Sequence, residues 1–141
     1  MKLNKIVIKF RWSSLKHRWA EYRYIQVINK SKLRIEKNTD LASEFEHKFI
    51  DSVCDLSNGV ISLSECQEVK IIAYDTKYEF DILLKSFRSH YDDSLEPQYN
   101  VQIQDAWSEW RHAYEIFCKA VDKMNSAIEK FESAVAAVEV G

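Results

Sequence analysis

From Ile103 to Val138 the apolar residues return at alternating steps of four and three without a miss, through Trp107, Trp110, Tyr114, Phe117, Val121, Met124, Ile128, Phe131 and Val135. Such spacing keeps one face of an α-helix apolar for five heptads, as in a coiled-coil seam. The residue before every second seam position is alanine (Ala106, Ala113, Ala120, Ala127, Ala134). This column of small side chains lets another backbone approach closely along one edge. A helix over 105–139 would be about 52 Å long, whereas a compact domain of this size is below roughly 40 Å across. The helix is therefore expected to overhang its own globule. Its stripe then needs cover from another copy, another protein or the N-terminal part of the chain. Self-association is the expectation, through Trp107, Trp110, Tyr114, Phe117, Val121, Met124, Ile128, Phe131 and Val135.

The first hundred residues carry mixed patterns. Residues 3–12 alternate, with Ile6, Ile8, Phe10 and Trp12 on one side and Lys5, Lys9 and Arg11 on the other, which predicts a half-buried strand with a basic outer face. Residues 22–28 are rich in aromatic and β-branched types; with Leu33-Arg34-Ile35 they predict a hairpin. A helix from Ser14 is the rival, because Leu15, Trp19, Tyr22 and Gln26 share a helical face. Thr39 or Asp40 can cap a helix over 41–56, whose face is Leu41, Phe45, Phe49, Val53 and Leu56. Asn58-Gly59 reads as a turn, and residues 60–63 and 69–74 as strands. Thr76 and Glu79 have capping-box spacing ahead of Phe80, Leu83, Leu84, Phe87 and Tyr91. That helix would stop at Asp92-Asp93-Ser94, before Pro97.

Composition sharpens the outline. With 46% hydrophobic and 13% aromatic residues the 141-residue chain can build a core. Two glycines and one proline rule out a Gly-rich phosphate loop and favour long uninterrupted elements. The expected fold is α+β: a small, mostly antiparallel sheet with two amphipathic helices over 1–97, and a long coiled-coil-like helix over 98–141.

The net charge of −2 hides an asymmetry. Residues 1–37 hold eleven Lys/Arg against Glu21 and Glu36, which makes them +9 and leaves −11 for the remainder. Halves of opposite sign point to a basic surface that meets an acidic partner, or to polar head-to-tail packing. If 1–37 are a strand and hairpin, Lys9, Arg11, Arg18, Arg23, Lys32 and Arg34 form the partner-binding face. Its partner would be an acidic protein surface or, because Trp19, Tyr22 and Tyr24 could stack on bases, a nucleic acid.

Catalytic and metal chemistry find little support. His17, His47, His90 and His112 lie on separate segments, and neither C-x-x-C nor H-E-x-x-H occurs. Cys54, Cys66 and Cys118, odd in number, favour free thiols and a reducing compartment. Asp55 with Glu68-Val69-Lys70 on a predicted strand has the order of a metal-dependent nuclease motif, in which two carboxylates hold Mg²⁺ and the lysine positions water. A solvated strand face accounts for Glu68 and Lys70, and nothing surrounding Asp55 supports a ligand role. No apolar run reaches the ~20 residues of a membrane span. The expectation is a cytoplasmic, non-enzymatic, oligomeric interaction protein that needs no metal or cofactor and meets no membrane.

Overall fold

The computed structural model describes the backbone of residues 2–92 and 101–140, and the side chains of residues 15–89 and 101–140. The described residues form three helices: α1 (Lys2–Ser57), α2 (Leu63–Asp92) and α3 (Val101–Val140). Among the described residues there is no strand, so the α+β expectation is corrected to an all-helical bundle. Residues 3–12 and 22–35 belong to one unbroken helix rather than to a strand and hairpin. Thr39 and Asp40 lie inside that helix instead of starting another. Residues 60–63 form the α1–α2 connection and the first residue of α2, and 69–74 are part of α2, inside which Thr76 is buried.

The cause is visible in the buried positions. In α1 they are Ile28, Ile35, Ala42 and Phe49; in α2, Cys66, Ala73, Phe80 and Phe87; in α3, Ile103, Trp110, Phe117, Met124 and Phe131. Each series recurs every seven residues, the period at which a helix keeps one line of side chains toward its neighbours. Buried Ser52 and half-buried Thr39 are tolerated in α1 because each hydroxyl donates to the carbonyl four residues back, Ser52 to Lys48 and Thr39 to Ile35.

Contacts between helices fix their directions. Tyr24 meets Trp107 (ring centroids 6.4 Å apart), the Trp110 indole donates to the Ser31 hydroxyl (2.9 Å), and Phe49 meets Phe131 (6.4 Å). Rising numbers on both sides make α1 and α3 parallel. Phe87 and Phe80 both meet Phe117, while Gln67 reaches Glu139 near the far end of α3, so α2 runs antiparallel to it. The backbones of α1 and α3 approach closely along their shared length, far more than α2 approaches either. The alanine column explains this: Ala113 lines the α1–α3 groove with Lys32, Glu36 and Thr39, and Ala106, Ala120 and Ala127 are buried in the same helical phase.

The seam of α3 is thus covered within the chain. Trp107, Trp110, Phe117, Val121, Met124, Ile128, Phe131 and Val135 are buried against α1 and α2, and Tyr114 is half-buried, stacked on Trp110. A second copy using that seam would have to displace α1. The division expected near residue 97 separates segments that share one core. No described helix is long and apolar enough to cross a membrane.

Local chemistry ends α1 and starts α2. The Val60 amide bonds to the Asp55 carbonyl (2.8 Å) and the Gly59 amide to the Leu56 carbonyl (3.2 Å), a Schellman closure that needs a left-handed residue, met by Gly59 at φ 70°. Ser62 and Glu65 form a reciprocal capping box: the Glu65 amide donates to the Ser62 hydroxyl (3.3 Å), and the Ser62 amide to the Glu65 carboxylate (3.1 Å). The same spacing at Thr76 and Glu79 falls mid-helix and caps nothing.

Two outcomes follow for stability. Nothing lies within 4 Å of a Cβ placed on Gly59, so Gly59→Ala should cost only its left-handed backbone strain, about 1 kcal/mol in urea denaturation. Ala113→Leu or Ala120→Leu forces α1 and α3 apart and should cost about 1–3 kcal/mol each. Ala136→Leu, on the exposed side of α3, should change stability by less than about 0.5 kcal/mol. Equal effects at all three alanines would show that the column does not set the helix spacing.

Candidate interaction surface

Parallel packing of α1 on α3 starts late in α1. The turn carrying Tyr24 lies beside Trp107, less than two turns into α3, so roughly the first five turns of α1, ~25 Å, extend past the α3 N-terminus. Where α1 leaves the bundle it shows side chains that a covered helix would hide. Leu15 is 57% exposed, Trp19 61%, Tyr22 54% and, further on, Leu33 63%. At 100° per residue all four fall on the side of α1 opposite Ile28 and Ile35. In the sequence the four-three spacing of Leu15, Trp19 and Tyr22 continues backward through Trp12 and Ile8.

Bases border this stripe. Lys16, Arg23, Lys30 and Lys37 share the outward side of α1 with it, and Arg18 flanks its other edge; all five are exposed. The Arg23 guanidinium sits 6.0 Å from the Trp19 ring centroid, within cation–π range, and Trp19 leans on Tyr22 at 6.0 Å. Of the two acids of the region, Glu21 lies off this face and Glu36 shares the phase of Arg18 beside Leu33. Glu21 is half-buried and bonded to His17 (3.0 Å), and Glu36 is 3.8 Å from Lys32.

The expected basic face is therefore rearranged. A strand and hairpin would have gathered Lys9, Arg11, Arg18, Arg23, Lys32 and Arg34 on one side, whereas the helix distributes Arg18, Arg23, Lys32 and Arg34 around its axis. Arg18 and Arg23 remain at the exposed stripe. Lys32 turns toward α3 and ion-pairs with Glu109 at 3.2 Å. The Arg34 guanidinium lies 5.7 Å from the ring of Phe87 on α2. The side chains of Lys9 and Arg11 lie outside the described residues. Missing from the expected face were Leu15, Trp19, Tyr22 and Leu33, although the first three had been visible as the rival helical face.

Elsewhere the chemistry is muted. Helical geometry puts Glu68 and Lys70 about 200° apart around α2, so they do not form the paired face that the nuclease order requires. The groove lined by Lys32, Glu36, Asp40, Glu109 and His112 sets one lysine, paired with Glu36 and Glu109, among three carboxylates. Burial raises the Cys66 thiol above its ordinary range, with the Glu65 carboxylate adding to the effect. Burial also raises Cys118, outweighing a hydrogen bond with Tyr114 that lowers it, and Asp122 and Glu115 add to the rise. Both thiols are therefore protonated at neutral pH and fill space as small hydrophobes. Among the described residues no group of three His, Cys, Asp or Glu is placed to hold a metal ion.

No protein-family model, curated protein or solved structure matches the chain.

Proposed function

We propose that the protein is a non-enzymatic helical interaction protein that docks an acidic protein surface through the outward face of α1, residues 15–37. One observation carries this reading: Leu15, Trp19 and Tyr22 are each more than half exposed on a single helical face, bordered by Lys16, Arg18 and Arg23. Trp107, Trp110, Phe49, Phe80, Phe87, Phe117 and Phe131 are all buried, and only Tyr74 and Tyr78 on α2 match this exposure among the described aromatics. An apolar stripe at four-three spacing with charged borders is the form in which one amphipathic helix docks against another surface. The stripe supplies buried area, and the bases select acidic partners and speed their encounter.

Nucleic acid is the second reading, favoured by Trp19, Tyr22 and Arg23 lying together on one exposed face, as stacking on unpaired bases requires. Leu15 and Leu33 in the same stripe suit a protein surface better, since neither can stack on a base.

Fluorescence anisotropy can separate the two. The probes are a labelled amphipathic peptide with Glu borders and a labelled single-stranded oligonucleotide, each titrated with the protein in 50 mM and 200 mM salt. The acidic peptide should bind, with an affinity at least tenfold weaker for Lys16→Glu/Arg23→Glu and a shallow dependence on salt. These side chains are exposed outside the core, so the melting temperature should stay within a few degrees of the original. Unchanged peptide affinity in the double variant would overturn the docking reading. Oligonucleotide binding that falls steeply and linearly on a log–log salt plot, without peptide binding, would replace it with the second.

A further inference from the structure

Folding sorts the charge of this chain along the bundle axis. Because α1 and α3 run parallel and α2 returns antiparallel to them, residues 38–57, 63–79 and 120–140 make up one end of the bundle. Those segments contain thirteen acids and five bases, a formal −8. Residues 2–37, 80–92 and 101–119 make up the other end, with fifteen bases and seven acids, a formal +8. The net charge of the chain conceals a molecule with strongly opposed ends.

A second uncovered apolar stripe starts in the acidic end and runs just past its boundary on α2. On α2, Ile71 (63% exposed), Tyr74 (70%), Tyr78 (64%) and Ile82 (50%) point away from the buried line of Ala73 and Phe80. Glu68, Asp75 and Glu79, all exposed, border this stripe on one side of the helix, while half-buried Lys70 and Lys77 share its other border with exposed Asp81. The stripe spans about 16 Å along α2. Over Leu15, Trp19 and Tyr22 the basic stripe spans about 10 Å, and exposed Gln26 and Asn29 separate it from Leu33, three turns further on. The two stripes are thus similar in aromatic content and opposite in charge along one border.

Pairing like with like would set Lys16, Arg18 and Arg23 against themselves, or Glu68, Asp75 and Glu79 against themselves. Only the unlike pairing joins apolar stripe to apolar stripe and acid to base, the complementarity that specifies register and partner at helix–helix contacts. We infer that the acidic surface docked by α1 is the outer face of α2 in a second copy of this chain. The inference rests on the docking reading above and names its partner. Because the contact joins two different faces, every copy brings one arm and one receiving face. Assembly therefore either closes into a ring, of which an antiparallel pair is the smallest, or extends as a chain. A contact this short lies at the small end of interface sizes. The association is accordingly weak and sensitive to screening, whose range shrinks to about 8 Å at 0.15 M salt.

Sedimentation velocity on the full chain at 200 µM tests the idea. The original protein should associate in 20 mM salt and dissociate in 500 mM salt. Lys16→Glu/Arg23→Glu removes the arm and leaves the α2 face intact. Tyr74→Lys/Tyr78→Lys removes the face and leaves the arm intact. Each double variant should be monomeric by itself, with an unchanged circular dichroism spectrum. Their equimolar mixture should form a complex of one copy of each and nothing larger. An original protein that stays monomeric in 20 mM salt would overturn the inference, as would a mixture that stays monomeric or either variant associating unaided. If the monomeric protein still binds the acidic peptide through Lys16 and Arg23, only the identity of the partner fails. If peptide binding is absent as well, both readings fall.

Discussion

Close packing of α1 on α3 is the constraint from which the rest of this structure follows. An alanine every seven residues admits a second backbone along that edge of α3, and only a long helix could exploit an opening of such length. Its register is held at points far apart in sequence: the Trp110–Ser31 hydrogen bond, the Lys32–Glu109 ion pair and the Phe49–Phe131 contact. With one edge of α3 taken, α2 packs on the other through larger side chains. Phe80 and Phe87 converge there on Phe117, the latter edge-on at 5.7 Å. The register also determines how far α1 runs past α3, and hence which aromatics are left outside.

The parts of the fold that could be read from the sequence are those whose buried positions are uniformly apolar. In α3 the seam is unbroken, and the expected 103–138 agrees with the helix found. α1 hides its period because the buried line of Ile28, Ile35, Ala42 and Phe49 is interleaved with Ser31, Thr39 and Ser52 at the intervening core-side positions. Half of the helical signal is polar there, and satisfied locally by bonds back to the preceding turn. Residues 3–12 add a chance two-residue alternation that looks like a strand. In α2 the small residues Cys66 and Ala73 weaken the signal, and Thr76 with Glu79 imitates a helix start. The scarcity of glycine and proline was the better guide, since no breaker lies between Lys2 and Ser57.

The basic character of the N-terminal third was legible from counting alone, but its surface depended on secondary structure. Alternation would have set Phe10 and Trp12 against the core and the bases in solvent. A helix instead mixes Leu15, Trp19 and Tyr22 with Lys16 and Arg23 on one outward side. The opposed ends of the bundle were less accessible still, because they arise only when α2 folds back and gathers the acids of three separate segments. Residues 71–82, read partly as a strand, gave no sign of an uncovered stripe until the helix set Ile71, Tyr74, Tyr78 and Ile82 in line.

Parallel packing of the first helix on the last also dictates the order of events during synthesis. The partner of Ser31 is Trp110, seventy-nine residues downstream. A nascent chain emerges at about 5–20 residues per second. For several seconds, then, the ribosome displays a finished α1 whose closest neighbour has not been made. An isolated helix in water draws little stability from propensity alone, and loop closure must precede the contacts that reward it. Docking of α2 can shelter the line from Phe45 to Phe49 early, through the Phe45–Phe80 contact. The turn of Ser31 has to wait for Trp110, so the α1–α3 contact closes late in synthesis.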